Sequence, residues 1–515
     1  MRWKLAVSRK VGCKIMSTEK KVELLVFSSQ LEQLSWVSAL ENLLEHNKSS
    51  QVYIVGGALR NALLGITKKS FDMDLLVDPK SDSKLVAEQL SKSLHCSYFE
   101  LDAERATFRI TLENAQIDIN GIRGQELMDD LFLRDFSVDA LCLPLDNFIK
   151  ILHRGETRMP VLNYFQGIED LRLRKIRIHN PSSFKDDPLR LLRAYRLAGE
   201  IEGFIDEFTI EQITTDRELL FRVSGERIRD EWMKILAFPD SSSWLQLMDK
   251  SSLLSIVFPF LENFRPMDEA YTNDLQVRKH TLETLQYLEQ IILRIRKHDF
   301  PHSPKLLQLL DQSFSPERSN EVLLKLASLL HDIGKPDTLS IENERLRFFH
   351  HEENGAEKAL LYLKDLKLSN KETEFIEHLI LEHMRPHQLS NAEEVSDRAK
   401  YRFFRDLSEE GPFLLLLALA DAYATKRIPM GTLTQYEAFV SDMLDYGFKE
   451  NLKQVTPLMD GNGVMNLLGI EPSPQVGHIL ASLLEAQHLN RVSNRKEAEE
   501  FILQWLKNPD DPFSL

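Results

Sequence analysis

The stretch that decides the fold of the amino-terminal part runs Gln51-Val-Tyr-Ile-Val-Gly-Gly-Ala-Leu-Arg60, and Phe71-Asp-Met-Asp-Leu-Leu-Val77 follows it. Residues 51–55 form a short apolar run that is typical of a buried strand and ends in a glycine pair. Residues 58–64 predict a helix that opens directly after the glycines. Residues 71–77 alternate as a second strand, which places Asp72 and Asp74 on one face. The sequence therefore predicts a strand, a glycine turn, a helix and a strand that carries two carboxylates.

These residue types in this order suit phosphate chemistry. Two carboxylates on one strand face supply the oxygen ligands that Mg²⁺ prefers, and Asp118, on a later strand, is a candidate third metal ligand. Two such ions polarise a triphosphate and activate a hydroxyl for in-line attack. Gly56 and Gly57 let a phosphate approach the start of a helix, and Arg60 would add a charged contact. We therefore predict a nucleotidyl-transfer site, although an Asp-x-Asp pair or a glycine pair alone is more often a turn.

Two further basic motifs follow. Leu133-Arg-Asp-Phe136 contains Arg134, a candidate triphosphate or sugar contact that Asp135 would hold. Asp186-Asp187-Pro188 predicts the start of a helix, with one of the aspartates as its N-cap. On that helix one face carries three arginines, Arg190, Arg193 and Arg196. The alternatives are a surface ion pair for the first motif and a solvated basic face for the second.

The chain of 515 residues has the 43% hydrophobic and 28% charged residues of a globular protein. More strands are predicted at 108–112, 116–119 and 140–144, a helix is predicted over 23–50, and helical periodicity dominates from about residue 180. The pattern predicts an α+β protein, with a head of mixed sheet and helices followed by a long all-α body. We divide it into a disordered or mis-assigned leader at 1–22, a head at 23–180, a neck at 181–255, a helical domain at 256–450 and a helical tail at 451–515.

Charge, cysteines and hydropathy bound the function. The net charge of −15 does not exclude a nucleic acid partner, because residues 172–196 hold eight basic residues against two acidic ones. The three cysteines are too few and too widely spaced for a disulfide framework. The apolar runs are too short to span a membrane. We expect a cytoplasmic protein, with a basic organellar leader as the alternative, and the oligomeric state stays open.

The quoted motifs carry a family resemblance. Gly56-Gly-Ala-Leu-Arg60, Asp72-x-Asp74, Leu133-Arg-Asp-Phe136 and Asp187-Pro-Leu-Arg-Leu-Leu-Arg193 resemble successive motifs of the class II tRNA nucleotidyltransferases and bacterial poly(A) polymerases. Ser224-Gly-Glu-Arg-Ile228 is similar to the motif that follows in the neck of that family. The resemblance implies a polymerase-β-like palm that adds CMP, AMP or both from CTP and ATP to the 3′ end of tRNA, without a template.

The resemblance also implies roles for particular residues. Asp72 and Asp74 match the Mg²⁺ carboxylates, and the nucleotide-contacting positions are matched by Gly57, Arg60 and Arg134. Asp187 and Arg190 match the pair that reads the edge of the incoming base, and Arg193 and Arg196 match neighbouring contacts. Cytosine N4 and adenine N6 amino groups can both donate to a carboxylate, whereas uracil and guanine present acceptors there. The choice among full CCA, CC-only and A-only addition stays open, because the stretch between Asp74 and Arg134, which carries the switching element in this family, is compact.

A second constellation lies in the body. Imidazole and carboxylate ligands suit Mn, Ni, Fe, Zn or Mg, and the residues here are His280, His331, Asp332, His351, His383 and Asp421. Alone, each histidine is more often a satisfied core residue. In order, His280, His331-Asp332 and Asp421 resemble the four-ligand signature of HD-domain phosphohydrolases, and the other two histidines match a second metal in some members. This resemblance implies a divalent metal and, as a further candidate activity, phosphoester hydrolysis.

The alternatives differ in activity class. The leading hypothesis is a tRNA nucleotidyltransferase with an HD domain and a tail that holds tRNA. General poly(A) addition is the runner-up within that class, and the sequence between the aspartate pair and Arg134 lacks the basic segment that bacterial poly(A) polymerases carry. The other hypotheses are a metal-dependent HD phosphohydrolase with an inactive RNA-binding head, and a pure RNA-binding module.

Overall fold

The computed structural model describes most of the chain. The described residues are 20–23, 37–46, 51–66, 71–79, 81–103, 106–113, 115–154, 158–264, 277–315, 318–343, 345–392, 394–425, 430–450 and 456–506. The predicted leader lies outside them except for residues 20–22, as do residues 24–36 and 47–50 of the helix predicted over 23–50. The chain forms two compact units, Met1–Ser224 with Ser251–Ile256 and Gly225–Lys250 with Val257–Leu515. The finer division at 180, 255 and 450 stays a prediction.

The first unit is built on a mixed eight-stranded sheet, in the spatial order β1-β8-β7-β2-β3-β6-β5-β4. Only β3 and β6 pair in parallel among these strands. The strands are β1 (Lys20–Glu23), β2 (Val52–Val55), β3 (Phe71–Val77), β4 (Tyr98–Asp102), β5 (Thr107–Thr111), β6 (Ala115–Gly121), β7 (Leu141–Pro144) and β8 (Arg158–Asn163).

The first unit also contains helices, some between the strands along the chain and others after the last strand of the sheet. They are α1 (Val37–His46), α2 (Gly57–Leu64), α3 (Ser83–Leu94), α4 (Leu127–Phe132), α5 (Leu145–Arg154), α6 (Gly167–Arg172), α7 (Ser183–Asp186), α8 (Arg190–Glu200) and α9 (Glu207–Asp216), with 3₁₀ turns at Ser137–Asp139 and Arg217–Arg222. The parallel ribbon of β9 (Lys175–Ile176) and β10 (Phe204–Ile205) joins the segments on either side of α8.

The second unit is mostly helical. Its helices are α10 (Gly225–Leu236), α11 (Ser241–Lys250), α12 (Leu254–Val257, shared with the first unit), α13 (Val277–Arg296), α14 (Ser303–Asp311), α15 (Asn320–Leu330), α16 (Lys335–Thr338), α17 (His351–Asp365), α18 (Asn370–Glu382), α19 (Met384–Ser390), α20 (Asp397–Leu407), α21 (Gly411–Ala424), α22 (Met430–Glu450), α23 (Gly461–Leu468), α24 (Pro474–His488) and α25 (Arg495–Trp505), with a 3₁₀ turn at Ser408–Glu410. Two antiparallel ribbons interrupt them, β11 (Ser313–Ser315) with β12 (Arg318–Ser319), and β13 (Leu339–Glu342) with β14 (Arg345–Phe348).

Local sequence explains the elements around the site. The four residues of β2 are all buried, as their unbroken apolar run predicts. In β3, Asp72 and Asp74 alternate with the buried Met73 and Leu75. In the second unit, α21 is apolar on nearly every face and is buried along almost its whole length, so it forms the centre of its helical layer.

Several expectations need correction. Segments 98–102 and 158–163 are strands that the sequence analysis did not identify, and short ribbons persist beyond residue 180. The helix predicted to begin at 186 or 187 begins at Arg190, because Asp187 has extended backbone and separates it from α7. Asp187 still caps the turn, since its Oδ1 accepts the Leu189 N–H at 3.3 Å. Among the described residues no helix is both long and apolar enough to cross a bilayer.

Candidate active site and candidate metal centre

The glycine pair brings backbone against a carboxylate. Gly56 ends β2 with φ +74°, a left-handed conformation that favours glycine, and α2 begins at Gly57. A Cβ atom at Gly56 would lie 2.6 Å from Asp74 Oδ2. Because Asp74 pairs with Val55 across β2 and β3, this close approach is built into the sheet register. Both the backbone angle and the contact therefore require glycine at this position.

The aspartate pair fits a divalent cation. The pKa of Asp74 is raised to about 6. Burial is the largest cause, Arg134 acts in the opposite direction, and the negative charges of Asp118, Asp139 and Asp72 add to the rise. Arg134 does not offset the burial and the neighbouring carboxylates, and a divalent cation would supply the missing positive charge. Asp72 is exposed on the same face of β3. These oxygen donors match the preference of Mg²⁺.

Asp118 lies near the pair but has a different partner. Its Cα is opposite that of Asp74 in the parallel register of β3 and β6. Both of its oxygens accept from Arg109, with the Nε and Nη2 bonds each 2.7 Å long. Asp118 is thus paired with Arg109 in this structure. Within the described residues, the compact three-ligand groups both lie in the second unit.

A cavity of about 550 Å³ opens beside Asp74. It contains all the predicted nucleotide-binding residues, and its charged lining consists of six aspartates and six arginines. The lining residues are Gly56, Gly57, Arg60, Asp74, Asp102, Thr107, Asn120, Gly121, Arg123, Asp130, Arg134, Asp135, Asp139, Asp187, Arg190, Arg193 and Arg196. The size and the guanidinium lining suit an anionic ligand such as a nucleoside triphosphate.

The Arg60 guanidinium is buried and anchored. Its Nη1 donates to Asp139 Oδ1 at 2.5 Å and its Nη2 to Glu200 Oε2 at 3.3 Å. Glu200 also accepts from Arg196 Nη1 at 2.5 Å, one helical turn earlier in α8. Arg60 thus contributes a fixed positive charge to the cavity wall and links α2 to α8.

Asp135 gathers two arginines of α8. Its oxygens lie 2.8 Å from Arg190 Nε and 2.6 Å from Arg193 Nε. Burial acts to raise the pKa of Asp135, but Arg193 and Arg190 outweigh it and hold that pKa below its usual value. Arg190 also donates to the Ser183 hydroxyl and carbonyl and to the Leu133 carbonyl, the latter at 2.8 Å. Its guanidinium is therefore held rigidly, near the partly exposed Asp187 that shares the cavity wall.

Sequence reasoning missed a third carboxylate of this kind. Asp130 in α4 is buried and binds Arg123 and Arg134, which both line the cavity. The spacing of four residues between Asp130 and Arg134 on a helical turn is a signal for that pair. Arg123 has no such local signal, because it reaches Asp130 through the turn that connects β6 to α4.

The second unit brings six predicted residues together. The atoms of His280, His331 and Asp421 form one candidate metal group and those of Asp332, His351 and His383 a second, each within 4.8 Å. Within the first group His280 Nε2 lies 2.9 Å from Asp421 Oδ1. Within the second, Nε2 of His351 lies 3.1 Å from Nε2 of His383. Helices α13, α15, α17, α18 and α21 supply or flank these residues.

The donor atoms of this cluster fit a metal. His331, His351 and His383 each use Nδ1 to bond the backbone carbonyl three residues earlier, at 2.8, 2.8 and 2.6 Å. This arrangement fixes each ring and leaves Nε2 as the inward ligand atom. His280 Nε2 lies 2.9 Å from Asp421 Oδ1, His331 Nε2 lies 3.3 Å from Asp332 Oδ2, and Asp332 Oδ1 lies 3.5 Å from His351 Nε2, but among the described residues none of the first-named atoms makes a well-aligned hydrogen bond. Buried polar atoms without hydrogen bonds are rare, and divalent cations bound between these imidazoles and carboxylates would satisfy them.

The pKa values of two buried histidines in this cluster shift in opposite directions. Burial, and then like charge on His331, lower the pKa of His383 to about 3. For His331 burial also opposes protonation, but Asp332 outweighs it and raises the pKa. Burial would raise the pKa of Asp332, yet His331 and Lys335 hold it well below its ordinary value, and Lys335 Nζ lies 2.5 Å from its Oδ2.

One supporting residue was not predicted. His387 in α19 places its Nε2 2.9 Å from Asp421 Oδ2, and its Nδ1 lies 3.0 Å from the Tyr436 hydroxyl. The position four residues after His383 is the only local hint in the sequence. A partner of this kind orients a ligating carboxylate.

Family models match three successive segments of the chain. The family model of the poly A polymerase head domain matches residues 52–177, and the HD domain model matches residues 277–426. Between them, a model described as "Probable RNA and SrmB- binding site of polymerase A" matches residues 204–265. The three matches confirm the predicted resemblance to the tRNA nucleotidyltransferases and poly(A) polymerases. The HD domain is the matched segment that contains the histidine cluster.

Individual relatives match over most of the chain. The A-adding tRNA nucleotidyltransferase of Deinococcus radiodurans is 28% identical over 88% of this chain and 95% of its own. The CC-adding tRNA nucleotidyltransferase of Thermus thermophilus is 29% identical over 88% of this chain and 93% of its own. The CCA-adding enzyme of Thermotoga maritima, solved with tRNA, has a TM-score of 0.60 at 20% identity, over 91% of this chain and 94% of that one. These matches confirm the predicted family and the predicted α+β fold class.

Proposed function

We propose that the protein transfers CMP, AMP or both from CTP and ATP to the 3′ end of tRNA. The observation that carries this proposal is the Asp72-x-Asp74 strand of the matched head domain, whose Asp74 lies against Gly56 and lines an arginine-rich cavity. Relatives that match over 88% of the chain are named as A-adding and CC-adding enzymes, which supports tRNA as the acceptor. Poly(A) polymerase appears among the matches over 42% of this chain, which favours the tRNA acceptor.

The residues divide the work as follows. Asp72 and Asp74 would hold Mg²⁺, which lowers the barrier by polarising the triphosphate and the attacking hydroxyl. Gly56 and Gly57 let the triphosphate approach the backbone at the start of α2, and Arg134 neutralises its charge. The 3′ oxygen of the RNA forms its bond to the α-phosphorus in line with the departing pyrophosphate.

We assign the choice of base to Asp187 and Arg190, at the start of α8. Asp187 would accept from the amino group of cytosine or adenine, and Arg190 would donate to the neighbouring ring acceptor. The bonds of Arg190 to Asp135, Ser183 and Leu133 fix its orientation. A fixed pair discriminates because the wrong base leaves a carboxylate facing a carbonyl, at a cost of about 1–3 kcal/mol.

Two variants test the transfer site. Asp72→Asn and Asp74→Asn are each expected to lower nucleotide incorporation by about a hundredfold or more, because each removes a metal oxygen. Asp146→Asn is the matched control, since Asp146 is a half-exposed head aspartate that pairs with Lys150 at 2.9 Å and does not line the cavity. Full activity in the strand variants would reject the proposed site and favour the HD phosphohydrolase or RNA-binding alternatives.

Nucleotide and acceptor are determined together in one assay. The protein is given a tRNA that ends before CCA, a tRNA that ends in CC and a generic RNA, with each nucleoside triphosphate alone, and the products are sequenced. Incorporation only of CMP on the first tRNA identifies CC addition, and incorporation only of AMP on the second identifies A addition. Extension of generic RNA with AMP would replace tRNA addition by poly(A) addition.

The tail is proposed to hold the RNA. Buried Glu485 in α24 faces three arginines of α20: Arg398 Nε at 2.6 Å, Arg402 Nε at 3.1 Å and Arg405 Nη1 at 3.6 Å. Asp406 also accepts from Arg405 Nε at 2.8 Å, so two carboxylates orient the three cations and positive charge remains for a phosphate backbone. Replacing both Arg402 and Arg405 with Ala is expected to reduce the salt dependence of tRNA binding by about one to two in log–log slope, because about 0.9 is lost per phosphate contact. An unchanged slope would reject this role.

The HD domain is proposed to bind a divalent metal and, as a second activity, to hydrolyse phosphoesters. Buried His280, His331 and Asp332 each have a ligand atom that faces the other donors without a well-aligned hydrogen bond among the described residues, which favours the metal. The donor set of imidazoles and carboxylates suits Mn, Ni, Fe, Zn or Mg. Metal content measured on the wild type and on Asp332→Asn tests the first claim, and turnover of a chromogenic phosphodiester tests the second. Equal metal content in the two proteins would reject the site.

A further inference from the structure

Asp130 binds two arginines that line the cavity, Arg123 and Arg134. Its side chain is 2% exposed, and each oxygen takes a different partner: Oδ1 accepts from Arg123 Nε at 2.8 Å, and Oδ2 accepts from Arg134 Nε at 3.1 Å. Arg123 also donates its backbone N–H to Oδ1 at 3.3 Å. A buried carboxylate used in this way fixes the positions of two guanidinium groups at once.

The turn that carries Arg123 is also fixed. Residues 122–126 connect β6 to α4, and Gly124 adopts φ +102° there, where a Cβ would lie 2.5 Å from the Asp129 Cβ. Oδ2 of Asp129 accepts from the N–H groups of Gln125 at 2.8 Å and Glu126 at 3.0 Å. The short connection is thus held by two successive aspartates of α4, and it presents Arg123 as a rigid element.

The geometry leaves positive charge on the cavity side. Two guanidinium groups share one carboxylate, so one unit of positive charge is uncompensated within this trio. The Arg123 side chain is 38% exposed, and Arg134 bears on Asp74, whose pKa it lowers. Arg134 donates to Asp130 through Nε, and among the described residues its Nη groups make no hydrogen bond. Both arginines line the cavity together with Asp74 and the glycine pair.

We propose that Arg123 binds the triphosphate of the incoming nucleotide together with Arg134, and that Asp130 is the positioning residue that spaces the two guanidinium groups. This inference rests on the proposed function, because it assigns a nucleoside triphosphate to the cavity. Planar guanidinium groups held at fixed spacing match the oxygens of a polyphosphate. The trio would therefore contribute to nucleotide affinity without reading the base.

Binding of CTP and of ATP with Mg²⁺ to the full-length protein, measured by calorimetry, tests this role directly. Arg123→Ala and Asp130→Asn are each expected to weaken the binding of both nucleotides by about tenfold and to raise KM for the nucleotide similarly. KM for the RNA acceptor is expected to stay unchanged. In the double variant the loss is expected to be smaller than the product of the single losses, because Asp130 acts partly through Arg123.

The matched control is Asp170→Asn. Asp170 is equally buried and also holds two cations, Lys175 at 2.9 Å and Arg177 at 2.7 Å, but it does not line the cavity. Unchanged nucleotide affinity in Asp170→Asn together with the losses above supports the inference. Wild-type affinity in Arg123→Ala, or an equal loss in Asp170→Asn, would overturn it. A wild type that binds nucleotide but extends no RNA would reject the proposed function while the binding comparison still decides the role of Arg123.

Discussion

Replacement of Gly56 with alanine tests whether the backbone at the end of β2 must lie against the metal-binding carboxylate. The new Cβ would lie 2.6 Å from Asp74 Oδ2, whereas ordinary contact begins near 3.4 Å. The carboxylate or the strand must therefore move by about 0.8 Å, the difference between those two distances. A misplacement of about 1 Å in a catalytic constellation costs on the order of a hundredfold in rate. We expect Gly56→Ala to lose about that factor in kcat for nucleotide incorporation.

The substitution also has a backbone cost that must be separated from the contact. Gly56 has φ +74° and ψ −145°, a region that is essentially restricted to glycine, so an alanine there costs on the order of 1–3 kcal/mol in the backbone. Gly469 has φ +65° and ψ 35°, in the αL region, and a Cβ added there would meet no atom within 4 Å, so alanine costs about 1–2 kcal/mol without a clash. Gly469→Ala is therefore expected to lose stability through its backbone alone and to retain full kcat.

The assay is single-turnover incorporation of labelled CMP or AMP at a temperature where both variants are folded, as shown by circular dichroism. A kcat for Gly56→Ala within about threefold of the wild type would refute the argument that Gly56 sets the carboxylate position. An equal loss of kcat in Gly469→Ala would show that a general loss of folded protein, rather than contact with Asp74, lowers the rate.

Three other outcomes follow from the structure. Lys175 and Arg177 help hold the pKa of Asp170 below its usual value although burial opposes this, so its ionised form stabilises the fold above about pH 4 and this contribution fades as pH falls further. Asp170→Asn is therefore expected to cost about 2 kcal/mol at pH 7 and progressively less below pH 4 in urea titrations, and a pH-independent difference would contradict this. His387→Phe removes a hydrogen bond to Asp421 and is expected to weaken metal binding by the HD domain by about 10–100-fold in calorimetry, with incorporation unchanged. Chelation of divalent cations is expected to abolish incorporation, and added Mg²⁺ to restore it; persistent activity would exclude the metal-dependent mechanism.

Much of the head could be predicted because its signals are local. Strand alternation placed Asp72 and Asp74 on one face, and the glycine pair marked the turn between β2 and α2. The partner of Asp118 could not be predicted in this way. Arg109 reaches it only because β5 pairs with β6 in the register that puts the two residues opposite each other. Such a register depends on the whole sheet, so no window of sequence contains it.

In the HD domain, the sequence predicted which residues are candidate ligands but not how they are grouped. Order along the chain sufficed to select the six candidate ligands, since the family resemblance fixes their sequence of types. Their division into two groups of three, and the support that His387 gives to Asp421, depend on helix packing. Residues that act through a neighbour carry little signal of their own, because an ordinary buried histidine has the same local sequence context.

The charge of the cavity explains how an acidic protein can present a site for polyanions. Aspartates and arginines line the cavity in equal numbers, so a count of charges predicts a neutral site. Three of the aspartates, however, are paired with arginines: Asp130 and Asp135 hold two each, and Asp139 holds Arg60. A buried carboxylate in such a pair acts as an anchor, because it fixes the guanidinium while its own field is compensated. Phosphate recognition therefore depends on where each acid lies, and neither the net charge of −15 nor a local count of charges reveals it.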